Sequence, residues 1–364
     1  MAILFFDYSS MMTWSGNPTG IPRVVESLAI AFKAVYSEVE FVAINDEVAA
    51  FHYVNTELKS FEEKVHFNAG DILFSCSANW AYACYNSVIN RLVGDGVRFS
   101  NLFYDVIPWK FPHFYEDGEA FGRYFGDWTK ATLELAEQRF AISNAVSRDL
   151  SLLTGCDEDI HVIRLGDDDV ATCSLAPKGP AGLLGVDNFI LSIGTIEFRK
   201  NHQVLLNAYR LLIEAGIKNL PKLIIVGRDG WLNNSIIFQI NKDPLLYGLV
   251  DIVSNVTDEE LHYLYQHCLF TVFPSLYEGW GLPIAESLQY GKQCISSNTS
   301  SMVEIAPDLI RFAHPLKASE WADQIQELIS APDLLEAEGL SINAQYNASS
   351  WEECANKIVC ALIE

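Results

Sequence analysis

The chain is short of positive charge. Its 364 residues carry 24 Lys and Arg against 47 Asp and Glu, a formal net charge of −23. A surface this acidic repels phosphate backbones, which argues against nucleic acid as a partner. It also gives no broad grip on anionic lipid, so at most a peripheral membrane contact is expected. No apolar run reaches the roughly 18 residues of a membrane span. The opening MAILFFDYSS turns acidic too early for a signal peptide. The eight cysteines contain no C-x-x-C pair, and no two histidines stand at metal-ligand spacing. That pattern argues against a disulfide framework and a zinc site and for a reducing cytoplasm. No Asp-x-Asp motif closes a strand, so no metal site is expected.

What is present is globular. Apolar residues make up 50% and charged residues 20%, and the length favours two domains. Short β-type runs alternate with helical patterns. Strands are expected at 2–6, 40–44, 71–75, 99–104, 140–142 and 160–165, with helices at 21–35, 81–93, 119–138 and 145–154. A second set of strands is expected at 189–193, 223–226, 251–253, 270–273, 293–296 and 310–312. Continuous apolar strands followed by amphipathic helices indicate buried parallel sheets covered on both faces. Two such sets imply an α/β protein of two doubly wound domains. The stretch 171–187, rich in Pro and Gly, is the expected join. The domains are then 1–175 and 176–345, followed by an amphipathic C-terminal helix in 346–364.

Three segments carry candidate chemistry. In GTIEFRKNH (194–202), Arg199 and Lys200 occupy a strand-to-helix turn beside free helix amides, where an anionic phosphate is best held. In VGRDGW (226–231), Gly227 and Gly230 allow close backbone approach, and Arg228 is placed to reach the same anion. A solvated basic turn and an ordinary glycine-rich turn remain the plain alternatives. The third segment is FPSLYEGWGLPIAESLQYG (273–291). Gly279 and Gly281 flank Trp280 in a tight loop, and Pro283 suits the first turn of a helix. Glu278 precedes the loop, and Glu286 lies about one turn into the helix. Such amides can bind a diphosphate, and such carboxylates can accept sugar or ribose hydroxyls. Thr257 and Glu260 form a capping box, a purely structural feature.

These blocks, with NVTDEELHYLYQHC and SSMVEIAPD, resemble the retaining glycosyltransferases of family 4, which have the GT-B fold. The likeness covers most of 189–308. The first half matches more loosely, through NPTGIPRVVESL, YDVIPWKFPHFY, AISNAVSRDL and HVIRLGDD. The flavour is that of bacterial mannosyltransferases of capsule, exopolysaccharide or O-antigen synthesis. The resemblance implies two Rossmann-like domains facing a central cleft, with the C-terminal helix crossing back to the first domain. It implies that Lys200 and Arg199 hold the donor diphosphate, aided by Gly194 and Arg228. Glu278 then sits by the donor sugar, Glu286 by the ribose, and Gly279, Trp280, Gly281 and Leu282 approach sugar and phosphates. Gly20 faces the donor from the first domain. Ser301 and Glu304 are expected to be mainly structural.

Two positions depart from the family pattern. Thr195 stands where many members carry Arg, and Tyr104 where many carry His before an Asp. Asp105 is therefore either a sugar contact or a structural turn acid; His113 is a weaker candidate. The aromatic residues of 103–128 read chiefly as packing, with an acceptor platform as the sharper alternative. The implied activity is metal-free, cofactor-free, retaining transfer of a hexose from a nucleotide sugar, GDP-mannose as the best guess, to a glycan or lipid-linked glycan. The alternatives are a UDP-, ADP- or dTDP-sugar donor, or a catalytically silent GT-B subunit. The expected location is cytoplasmic, at most peripheral at the inner face of the membrane.

Overall fold

A computed structural model describes residues 2–15, 19–157, 159–167, 178–180 and 188–364. Most of the expected join, with Asp168, Asp169 and Cys173, lies outside the described residues, as do Asn17 and Pro18 of the first glycine loop. The chain divides into two compact units. The first comprises Met1–Pro112, Asp117–Gly166 and Ser349–Glu364, and the second His113–Glu116 and Asp167–Ala348.

Among the described residues the first unit holds eight strands: β1 (Leu4–Asp7), β2 (Glu40–Asn45), β3 (Ala50–Asn55), β4 (Ser60–Lys64), β5 (Ile72–Ser75), β6 (Arg98–Phe103), β7 (Gln138–Ala141) and β8 (His161–Val162). Their order is β4-β3-β2-β1-β5-β6-β7-β8. All neighbours are parallel except at β3 and β4, which form an antiparallel hairpin on the edge. The hairpin is absent from the expected strands. Every residue of β4, SFEEK, is exposed, so it lacks the alternation that marks a half-buried strand. Phe5, Phe6 and Phe74 fill the centre, where Phe32 of the helix Ile21–Val35 stacks on Phe74 with ring centroids 5.1 Å apart. The final helix, Trp351–Ile363, belongs to this unit and packs on Ile21–Val35. Its start is fixed by Ser350, whose hydroxyl accepts from the Glu353 amide at 3.0 Å, a cap worth about 1 kcal/mol.

The second unit holds β9 (Phe189–Ile193), β10 (Lys222–Val226), β11 (Val250–Val253), β12 (Thr271–Phe273), β13 (Cys294–Ser297) and β14 (Arg311–Ala313). All are parallel, in the order β11-β10-β9-β12-β13-β14. Period-two alternation separates the two faces. Ile190, Leu223, Ile225, Val272 and Ile295 meet Leu205, Tyr209 and Trp321 on one side. Phe189, Leu191 and Ile224 meet Leu264 and Tyr265 on the other. The Thr257–Glu260 capping box is formed in both directions and opens the helix Asp258–His267.

Candidate active site

In the second unit the strand order reverses between β9 and β12, and in such sheets ligands bind beyond the carboxyl ends at that reversal. The segments that follow β9 and β12 carry the candidate residues. After β9 the chain makes a single 3-10 turn, Phe198–Lys200, and then starts the helix His202–Glu214. Asn201 joins them in a left-handed conformation (φ 55°), and its side-chain amide donates to the carbonyls of Pro274 (3.0 Å) and Pro315 (2.8 Å). The turn is thereby tied to the end of β12.

Lys200, Arg199 and Glu278 converge. Lys200 Nζ donates to Glu278 Oε1 at 2.6 Å, and Arg199 Nη1 donates to Glu278 Oε2. Arg199 also donates to the Tyr277 carbonyl (3.1 Å) and, through Nη2, to Glu197 Oε1 (2.7 Å). Glu197 is the participant that sequence reasoning missed. It is 1% exposed and completes a cluster of two carboxylates and two cations. The only sequence signal was an acid two residues before Arg199, too common to mark a site. Burial by itself raises the Glu278 carboxyl, but Arg199 and Lys200 outweigh it and hold that group down at about 2. Burial raises Glu197 above its usual range, and its share of the cations does not bring it back. Burial lowers the Lys200 ammonium, and Glu278 opposes that shift. His202, buried next in the chain, is pushed down to about 3 by burial and by Lys200.

Glycines shape the floor of this turn. A Cβ on Gly194 would lie 3.2 Å from Lys200 Cδ, so the missing side chain makes room for the lysine stem. A Cβ on Gly227 would lie 2.0 Å from the Gly194 carbonyl oxygen. The close approach anticipated for VGRDGW is therefore between the turns after β9 and β10. Arg228 is exposed on that turn, and its carbonyl accepts from the Ile196 amide at 2.9 Å. A cavity of ≈740 Å³ opens alongside, lined among others by Ile196, Asp229, Ile240, Tyr247, Val253 and Ser254.

The loop of Gly279, Trp280 and Gly281 is buried, and Leu282 begins the helix Leu282–Gln289. It is clamped from the 3-10 turn Ser300–Glu304. The Glu278 amide donates to Ser300 Oγ at 3.0 Å, while the Ser301 hydroxyl lies 3.0 Å from the Glu278 carbonyl and 2.9 Å from that of Trp280. Ser301 thus shapes the loop, and Glu304 is half-buried at the end of the same turn. Glu286 is buried, and its Oε2 accepts from the Tyr265 hydroxyl at 2.6 Å. Tyr265 in turn stacks on Tyr290 at 4.9 Å. Sequence reasoning gave Tyr265 no role, because its spacing is that of an ordinary core residue.

The segment 113–116 belongs to this unit too. Trp231 Nε1 donates to the Phe114 carbonyl at 2.7 Å, Tyr115 stacks on Trp231 at 5.7 Å, and Phe114 meets Phe198 at 5.8 Å. His113 is exposed beside Phe114.

Gly20 and Asp105 lie in the first unit. Gly20 caps the helix Ile21–Val35 at φ 60°, a left-handed value that favours glycine. Asp105 Oδ1 accepts from the Ile107 amide at 2.9 Å and so closes a turn, while the Tyr104 hydroxyl donates to the Cys76 carbonyl at 2.6 Å. Most of the aromatics in 117–128 pack: Phe125 and Trp128 are buried against Trp80, whereas Tyr124 is exposed. Among the described residues no three His, Cys, Asp or Glu side chains are grouped to hold a metal, and no helix is long and apolar enough to cross a membrane.

Comparison with known proteins bears on the same region. Residues 181–345 match the family Glycosyl transferases group 1. The O-antigen chain mannosyltransferase B of Escherichia coli is 32% identical over 221 residues, which cover 56% of this chain and 57% of that protein. The serotype-specific mannosyltransferase WbdA of Escherichia coli is 25% identical over 380 residues, covering 95% of this chain and 44% of the relative. The chain thus spans about half the length of the curated relatives it matches. HepE of Anabaena, solved in complex with UDP-glucose, superposes with a TM-score of 0.70 at 16% identity over 100% of both chains. The fold is that of the GT-B glycosyltransferases.

Proposed function

Starting from a chain whose residues 181–345 are a Glycosyl transferases group 1 domain, we propose that it transfers a hexose from a nucleotide-sugar donor with retention of configuration. The donor is GDP-mannose, and the acceptor is a glycan or lipid-linked glycan of a cell-surface polysaccharide, reached from the cytoplasm. The mannosyltransferase relatives support the sugar and the kind of product. The observation that carries the reading is the buried meeting of Lys200, Arg199 and Glu278 at the strand reversal.

Lys200 Nζ and the turn that leads into the helix His202–Glu214 receive the diphosphate. They stabilise the charge that grows on it as the sugar leaves. Arg199 spends bonds on Glu197, Tyr277 and Glu278, so it aims the carboxylate as well as adding positive charge. Glu278 keeps lone pairs beyond its two cation contacts, since an ionised carboxylate offers about four acceptor positions. These accept hydroxyls of the donor sugar. Glu286, on its Tyr265 support, accepts from the ribose. The neighbouring cavity has the size of small-molecule sites, roughly 300–1,000 Å³, and takes the nucleoside. The incoming hydroxyl loses its proton to the departing phosphate on the same face of the sugar.

A thermal-shift panel tests the donor. GDP-mannose at 100 times its Kd is expected to stabilise the protein by about 2.7 kcal/mol, with smaller shifts from UDP-, ADP- and dTDP-sugars. A larger shift from another base reassigns the donor, and silence across the panel overturns the reading. Positive charge from Lys200, Arg199 and helix amides makes a divalent ion unnecessary. Turnover in excess EDTA is therefore expected to equal turnover in Mg²⁺. Activity lost in EDTA and restored by Mg²⁺ or Mn²⁺ refutes this.

A further inference from the structure

The cluster around Lys200 is balanced before any donor arrives. Glu197 and Glu278 supply two negative charges; Arg199 and Lys200 supply two positive ones. The diphosphate of a nucleotide sugar is a diester, and its two charges do not titrate near neutrality. Bringing them into a buried, neutral cluster leaves the partial charges of helix amides as the main compensation, in a medium where net charge is costly. Protonation of one carboxylate relieves that cost.

The geometry selects which. Glu278 is bonded to both cations, one on each oxygen. Among the described residues Glu197 has one cation as a hydrogen-bond partner, the Arg199 guanidinium on Oε1, and its Oε2 is buried with no hydrogen-bond partner. A proton placed on Oε2 displaces no existing bond, and Oε1 goes on accepting from Arg199. Arg199 and Lys200 come from the same turn as Glu197 and Glu278 from the loop after β12. Arg228 and Asp229 come from the turn after β10, whose Gly230 packs on the Glu197 stem. Asp229 is bonded to Asn233, and buried His202 at the next helix start is neutral. Glu197 is the carboxylate in this set with one cation partner and one unused buried oxygen.

We propose that Glu197 takes up a proton from solvent when the donor diphosphate binds, so that Arg199 and Lys200 face the ligand with one carboxylate fewer. This rests on the assignment of the diphosphate to Lys200 and Arg199. Glu197 is thus a positioning residue that acts through Arg199, and its signature is proton linkage.

Calorimetry at pH 6.5 in PIPES and in imidazole, which differ in ionisation enthalpy, reads the number of protons taken up. GDP-mannose is the probe, with UDP-glucose, ADP-glucose and dTDP-rhamnose in parallel. Their diesters contribute no protons of their own. Wild-type protein is expected to take up between about 0.3 and 1 proton per ligand. Its affinity is then expected to fall between pH 6 and 8, by up to about tenfold per pH unit for a full proton. Glu197→Gln, which keeps an oxygen for Arg199, is expected to bind with no uptake and a flat profile. Binding without uptake, or equal uptake in both proteins, overturns the proposal and leaves the diphosphate assignment standing. No binding of any probe overturns both. Should Glu197→Gln fail to fold, the wild-type measurement decides: zero uptake overturns the proposal, and uptake with the expected slope supports it.

Discussion

Lys200→Ala is expected to lower kcat/KM by roughly 10²–10³, the effect of removing one preorganised donor to a developing anion. The reason lies in how the lysine is held. Its stem runs against Gly194, its ammonium sits 5.2 Å from the centre of the Phe273 ring, and Nζ is 2.6 Å from Glu278. Little rearrangement is then needed when charge appears on the leaving phosphate. Alanine removes the charge and leaves Glu278 to Arg199 alone. The loss should fall mainly on kcat, because the interaction strengthens as the sugar–phosphate bond breaks. Steady-state kinetics on protein with an unchanged circular dichroism spectrum makes the check. A folded Lys200→Ala enzyme with unchanged turnover removes the lysine from the reaction.

The residues of this site were legible to different depths. Lys200, Glu278 and Glu286 stand out through the resemblance of their blocks to the family pattern, since a basic pair in a turn does not by itself mark a site. The strands themselves were legible where both faces are buried, since FILSI and KLIIV admit no other reading as easily. Legibility failed where packing far along the chain decides. In the β3–β4 hairpin β3 buries Phe51 and Val54, but β4 is exposed throughout and is held by pairing to β3, not by an apolar pattern. Tyr265 acquires meaning only from Glu286, 21 residues away; Glu197 stands two residues before Arg199, and what the sequence hides is its burial against that guanidinium. Ser300 and Ser301 look like loop serines, yet they hold the backbone of Glu278 and Trp280 from some 20 residues away in sequence. The place of 113–116 in the second unit was also hidden, because its aromatic sequence continues without a break into residues that pack in the first. Arg199 shows the reverse: the sequence reads it as a phosphate contact, and the structure engages its guanidinium with Glu197, Tyr277 and Glu278.

Glu278→Gln is expected to lower kcat by roughly 10²–10³ while changing the donor Kd only a few-fold. Hydrogen bonds to charged groups are worth about 1.5–3 kcal/mol each. The amide keeps one acceptor oxygen but loses the charge that holds Lys200 on one side and Arg199 on the other. Its nitrogen then faces one of the two cations, donor against donor. Both cations are displaced together, and misplacement of groups around the reacting centre is felt chiefly in the transition state. Donor binding survives better, because the nucleoside and the helix amides still hold the ligand. The same carboxylate bears on stereochemistry. In the protein both Glu278 oxygens are occupied by cations, an arrangement that lowers its basicity to about 2 and makes it a poor nucleophile. A glutamate poised for double displacement lies behind the anomeric carbon, whereas Glu286, held by Tyr265 through Oε2, is assigned to the ribose. Transfer is therefore expected to proceed on one face, with the departing phosphate as base and an α-linked product from an α-linked donor. The anomeric coupling constant of the product decides: a β-linkage rules out retention, and a sugar trapped on Glu278 or Glu286 rules out the non-covalent route.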